Sequence, residues 1–91
     1  MSDSSEYEAV RFLAQALSER DHENHERAIE LLKTVILICE GSDTGTCLYL
    51  NRAAHHALHG IYQKLGRADE ASQYYRKAMK LGVTKEELEK V

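Results

Sequence analysis

No proline occurs anywhere in the 91 residues. Proline ends helices more reliably than any other residue, because it has no amide hydrogen and its ring collides with the preceding turn. Its absence, with only five glycines left as punctuation, removes the usual markers of sheet turns and leaves long runs that helices can fill. The expected fold class is all-α.

Apolar periodicity then locates the helices. At about 100° per residue, the segment over about 5–19 gathers Tyr7, Val10, Leu13, Ala14 and Leu17 on one side. Ala9, Phe12 and Ala16 continue that face, while Glu8, Arg11, Gln15 and Ser18 lie opposite. The stretch Arg20 to Asn24 breaks the pattern and offers Asp21 or Asn24 as an N-cap for a second helix over about 25–40. There Ala28, Leu32, Val35 and Cys39 align, flanked by Ile29, Leu31, Ile36 and Ile38, and Leu37 falls among the polar residues of the far side. Gly41-Ser42-Asp43-Thr44-Gly45 reads as a helix stop and loop. A third helix follows through Leu48, Ala54, Ala57, Leu58, Ile61, Tyr62 and Leu65 to Gly66, and a fourth through Ala68, Ala71, Tyr74, Tyr75, Ala78 and Leu81 to Gly82. Thr84 and Glu87 form a capping box that starts a short fifth helix. The domain organisation expected is one helical domain over residues 1–91, with helix pairs at about 5–40 and 46–82 and a capping helix at 84–91.

The second pair resembles a tetratricopeptide repeat, a helix-turn-helix unit that stacks into a scaffold. Leu58 takes the large apolar place of the first helix and Tyr62 its aromatic place. Gly66 takes the turn, Ala71 and Ala78 the small contacts of the second helix, and Tyr75 its aromatic. The sequence departs from the family at His55, His59, Ala68 and Val83. In the first pair Val10, Leu13, Ala14 and Leu17 suit the first-helix places, and Ala28, Leu32 and Val35 the second. Its turn reads as about two residues too long and carries no glycine. Ala28 and Ala71 are 43 residues apart, against about 34 for the repeat. The loop from Gly41 to Gly45 and an extended third helix are expected to absorb the difference.

Composition narrows the function. A net charge of -3 gives no broad positive field, so nucleic acid and membrane are not expected partners. The longest apolar run, Val35 to Cys39, is five residues, far from the roughly 20 that span a bilayer. The acidic start has no signal-peptide character, and a cytoplasmic location is expected. Cys39 and Cys47 read as reduced thiols. Five histidines include the pairs His55/His59 and His22/His25, yet neither a Cys-x-x-Cys pair nor a His-Glu-x-x-His arrangement accompanies them, so no metal site is expected. Nothing pairs a nucleophile with an oriented base, and no glycine-rich stretch cradles phosphate. The chain reads as a non-enzyme without cofactors.

The expected function is a non-catalytic adaptor or assembly module that binds a protein or peptide, acidic in character, and also pairs with itself as a homodimer. The resemblance implies a groove lined by first-helix residues. Its places fall at Glu8, Arg11, Gln15 and Ser18, then Ala53, His56, Gly60, Gln63 and Lys64. The peptide-binding residues expected are Arg11, Gln15, His56, Gln63 and Lys64; Phe12 and Leu37 are expected to mediate self-association. The alternative is a nucleic-acid-associated regulator using the basic C-terminal half, where Arg52, Lys64, Arg67, Arg76, Lys77 and Lys80 concentrate.

Overall fold

The computed structural model describes residues 2–90, with side chains from residue 5. Five helices follow one another: α1 (Ser2–Asp21), α2 (His25–Cys39), α3 (Gly45–Lys64), α4 (Ala68–Lys80) and α5 (Lys85–Glu89). The chain is all-α, with α1 packed on α2, α3 on α4, and α3 also lying against α1 and α2.

Each tight turn closes in the same way. After α1, the Asn24 amide donates to the Glu19 carbonyl at 2.8 Å and the Glu23 amide to Arg20 at 2.9 Å. After α3, Arg67 donates to Tyr62 at 2.9 Å and Gly66 to Gln63 at 3.1 Å. After α4, Val83 donates to Ala78 and Gly82 to Met79, both at 3.0 Å. These paired bonds satisfy the last carbonyls of each helix and require one left-handed residue. Gly66 and Gly82 supply it, and in the first turn Glu23 does so at φ 64°.

This turn corrects the sequence reading of the first hairpin. Its turn has the length of the second, and the missing glycine concealed the match because Glu23 adopts the glycine-like conformation itself. Both first helices are 20 residues long. The extra length over the family pattern therefore belongs to α1 as well as to α3. Asn24 holds the N-cap position of α2 without making a side-chain cap; its Nδ2 instead donates to Glu19 Oε1 at 2.7 Å.

Residues on the apolar arcs fill one core, in which Leu32, Leu50, Leu58, Ile61 and Tyr62 are almost wholly enclosed. Each such aliphatic side chain contributes about 1.5–3 kcal/mol by leaving water. On α1 the buried line is Ala9, Leu13 and Ala16, whereas Tyr7 and Val10 are 74% and 46% exposed and Ala14 is exposed too. The sequence reading centred that face on Val10 and Ala14. Among the described residues α1 packs only against α2 and α3, and the buried line turns toward them.

A satellite core of Ala78, Val83 and Leu88, with Tyr75 against it, holds α5. Thr84 starts α5 with the expected capping box: its hydroxyl accepts from the Glu87 amide at 3.2 Å and its own amide donates to the Glu87 carboxylate at 3.0 Å.

Candidate functional site

Helices α1 and α3 run side by side, and their facing residues leave a narrow groove of about 170 Å³ lined by Leu17, Arg20, Ala53, His56 and Ala57. Ala53 and His56 also border a second hollow of about 270 Å³ with Tyr49, Arg52, Gly82, Val83 and Glu87. The two adjoin at Ala53 and His56 and together make up an open channel along α3. Small residues at positions 53 and 57 keep its floor low. Leu17 is half-buried and Tyr49 exposed, so apolar surface remains open along it.

Two hydrogen bonds fix the far wall. Arg52 Nε donates to the Leu81 carbonyl at 2.7 Å, and His56 Nε2 donates to the Glu87 carbonyl at 3.0 Å. The Glu87 carboxyl is held below the usual carboxylate range by the amide and then the hydroxyl of Thr84. Near the start of α1, Glu6, Tyr7, Val10 and Thr46 line a further shallow hollow of about 340 Å³. There the Thr44 hydroxyl donates to the Glu6 carboxylate at 2.7 Å, joining α1 to the N-terminus of α3.

The residues expected to bind peptide do not all meet here. His56 is in the channel. Gln63 lines a different cleft with His59, and Lys64 is exposed at the end of α3. Arg11 and Gln15 are exposed on α1 and correspond by hairpin equivalence to Ala54 and Leu58, which face α1 and α2 from α3; they point away from the channel. Leu17 and Arg20 stand where those residues were expected. The signal that finds them is the turn: equating the Glu23 and Gly66 turns carries Gly60 onto Leu17 and Gln63 onto Arg20. Phe12 is half-buried against the core, while Leu37 is 69% exposed.

On the opposite side of α3, cations and aromatic rings interleave. The rings of Tyr62 and Tyr74 stack with centroids 5.6 Å apart, and the Arg67 guanidinium lies 4.8 Å over Tyr62. Arg67 pairs with Glu70 at 2.5 Å and with Glu26 of α2 at 3.6 Å, so one side chain ties the two hairpins together. These pairs are exposed and contribute modestly. Lys33 of α2 is 5.9 Å from the Tyr62 ring, and its hydrogen bond to the Tyr62 hydroxyl raises its pKa.

The buried histidines are accounted for structurally. His55 Nδ1 donates to the Asn51 carbonyl at 2.8 Å and its ring meets Tyr74 at 5.6 Å. Burial pushes its pKa down, partly opposed by the Asn51 bond. His59 Nδ1 donates to the Ala71 carbonyl at 3.1 Å across the α3–α4 crossing. Among the described residues, no group of three or more His, Cys, Asp or Glu side chains is arranged to hold a metal ion. Cys39 and Cys47 are buried free thiols, and burial followed by a hydrogen bond to Cys47 pushes Cys39 up to about 12.

The basic residues of the C-terminal half divide. Arg76 lines the cleft beside α5, whereas Lys77 and Lys80 line a separate notch with Glu40, Asn51 and His55. No described helix is long and apolar enough to cross a membrane.

Paired helices, left-handed turns and small residues at the crossings define an α-helical repeat scaffold. A tetratricopeptide repeat is identified over residues 54–89, which match that family's model. The matched segment contains the residues that carried the resemblance, from Leu58 to Ala78. No curated protein matches the chain. No solved structure matches it either.

Proposed function

We propose that this protein is a non-catalytic adaptor that receives an extended segment of a partner protein, acidic in character, in the channel between α1 and α3. The observation that carries the reading is the joint lining of one groove by Arg20 of α1 and His56 of α3 over a floor of Leu17, Ala53 and Ala57. A chain lying there covers apolar surface and meets Arg20, then His56, then Arg52. Its polar backbone is served by the exposed edges of the same side chains. We further propose that the protein acts in the cytoplasm, a compartment that keeps buried thiols such as Cys39 and Cys47 reduced.

The test is binding of acidic peptides to three variants. Ala53→Arg, which fills the floor, and Arg20→Glu should each weaken binding by about tenfold, or 1.4 kcal/mol. Arg11→Glu, on the outer side of α1, should leave affinity within about twofold, a change of about 0.4 kcal/mol. Equal losses in all three, or a loss confined to Arg11→Glu, would remove the channel from consideration. Replacing Arg76, Lys77 and Lys80 separates the nucleic-acid alternative, which requires steeply salt-dependent binding lost with those cations.

Self-association belongs to the same proposal, supported by the exposure of Leu37 on the outer face of α2. Leu37→Ser should shift a dimer toward monomer in sedimentation without altering helicity. Phe12→Ser should destabilise the fold, because Phe12 packs on the core. A chain that stays monomeric at high concentration would refute self-pairing.

A further inference from the structure

The basic side chains on the α3 side of the channel are already engaged by the chain itself. Arg52 Nε donates to the Leu81 carbonyl at 2.7 Å, and His56 Nε2 donates to the Glu87 carbonyl at 3.0 Å. A carbonyl oxygen only accepts, so Nε2 of His56 carries a proton and directs it at α5. The fit at Arg52 is close, since a Cβ on Gly82 would come within 3.1 Å of its Nη2. Glu87 borders the same hollow as Arg52 and His56, and its carboxylate accepts from the Thr84 amide and hydroxyl, both at 3.0 Å. An acid of the chain thus stands where the proposed ligand brings its own. The narrow groove alongside, lined by Leu17, Arg20, Ala53, His56 and Ala57, contains no α5 residue.

The segment that makes these contacts docks through one side chain. Helix α5 is five residues long, too short to stay helical without docking. Leu88 is its buried residue, while Lys85, Glu86, Glu87 and Glu89 are exposed. Leu88 packs with Ala78 and Val83 in the satellite core, apart from the main core that holds the longer helices together. An element attached through a small separate core opens at a lower free energy than the fold as a whole.

We propose that α5 is an autoinhibitory strap, which an acidic partner segment must displace to reach His56 and Arg52 in the channel. The inference rests on the channel reading above and assigns its regulation. Undocking frees the Nε2 proton of His56 and removes the Glu87 carboxylate from beside Arg52, while the floor of Leu17, Ala53 and Ala57 stays in place. Arg52 keeps its bond to Leu81, the C-cap residue of α4. The docked strap opposes an acidic ligand, and apparent affinity scales with the fraction of molecules whose strap is open. By linkage, the ligand in turn opens α5. A segment that merely walled the channel would act with the opposite sign, because its loss would remove contacts and weaken binding.

The experiment uses the full chain and, as probe, a short fluorescein-labelled peptide of alternating glutamate and leucine, followed by anisotropy. Leu88→Ala, which releases α5, should tighten binding by about fivefold or more. Glu87→Gln removes the charge but keeps a side chain that completes the capping box, and should tighten binding by about threefold. Glu86→Gln removes the same charge at an exposed position of α5 outside the hollow, and should leave affinity within about 1.5-fold. Hydrogen exchange should show the α5 amides losing protection as peptide is added to wild type, while those of α2 and α3 keep theirs. Weaker or unchanged binding in Leu88→Ala, with wild-type binding that Ala53→Arg weakens, would overturn the strap and leave the channel standing. Wild-type binding indifferent to Ala53→Arg, or no binding to wild type and Leu88→Ala alike, would overturn the channel reading and the strap with it. Global unfolding of Leu88→Ala, or equal affinities of Glu87→Gln and wild type, would also overturn the strap.

Discussion

Glu23 and Gly66 occupy the same left-handed turn in successive hairpins, at φ 64° and 74°. The amide of each donates to the carbonyl three residues back, and the next residue's amide reaches five back. Only the glycine is free of steric cost there. A side chain in this conformation costs about 1–2 kcal/mol through the clash of Cβ with the following carbonyl, offset by about 0.4–1 kcal/mol because glycine leaves the unfolded chain more freedom. Glu23→Gly should therefore stabilise the protein by about 0.5–1 kcal/mol, and Gly66→Glu should destabilise it similarly. Urea midpoints at an unchanged denaturant slope measure both. A neutral Glu23→Gly would show that the turn carries no strain.

His55 makes stability depend on pH. Its folded pKa is lowered, first by burial, with Lys77 also acting against the charged form. The unfolded chain therefore binds the proton more readily, and stability rises with pH wherever that difference operates. The contribution is complete above the ordinary histidine value of 6.5 and is lost as pH falls below it. Unfolding followed from pH 7.5 to 5 should show declining stability, with a shallower decline in His55→Gln. The carboxylates of Glu70 and Glu87, also held low in the folded state, contribute above their ordinary value of 4.5 and lose that contribution only as pH falls below it. An equal slope in wild type and His55→Gln between pH 7.5 and 5 would contradict the assignment.

The sequence made some of these features legible and hid others for physical reasons. Gly66, Gly82 and the Thr84–Glu87 capping box were readable because each is a local solution to a helix end, written within a few residues. Outward-facing Leu37 followed from periodicity, and the small contacts Ala71 and Ala78 from the family resemblance. The channel residues Leu17 and Arg20 were missed through Glu23: a turn without glycine does not announce its length, and the resulting two-residue error carried Arg11 and Gln15 into the groove. Nor does a helical wheel reveal where α2 and α3 lie against α1. It shows a broad apolar face, and only the positions of α2 and α3 decide that Ala9 and Ala16 are enclosed while Tyr7 and Val10 stay open.

The two thiols should be silent in the native protein. Cys39 and Cys47 are each only 2% exposed, and Cys39 is pushed up to about 12 by burial and its neighbour. Thiol reagents attack the thiolate, so at pH 8 modification must await an opening of the structure. Reaction with an aromatic disulfide reagent should be at least about 100-fold slower than in denaturant, corresponding to an opening that costs about 2.7 kcal/mol or more. Two equally fast thiols in the folded chain would place the junction of α2 and α3 among its least stable parts.

Helix α5 depends on one side chain and one glycine. Leu88 is completely buried against Ala78 and Val83, and the backbone leading to it passes Gly82 at φ 102°. A Cβ at Gly82 would come within 3.1 Å of Arg52 Nη2, in the guanidinium whose Nε holds the Leu81 carbonyl. Gly82→Ala thus meets both backbone strain and a displaced hydrogen bond, and should destabilise the protein by about 1–2 kcal/mol. Leu88→Ala acts differently. It empties the satellite core at a cost of about 2–5 kcal/mol to α5 docking, but five residues cannot stay helical alone, so α5 should detach without unfolding the rest. Hydrogen exchange should then show amides over 85–90 exchanging nearly as fast as in an unfolded chain, while those of α2 and α3 keep their protection. The His56 bond to the Glu87 carbonyl is lost in the same event, freeing the imidazole at the wall of the channel. Global unfolding of Leu88→Ala at neutral pH would instead make the satellite core and the main core one cooperative unit.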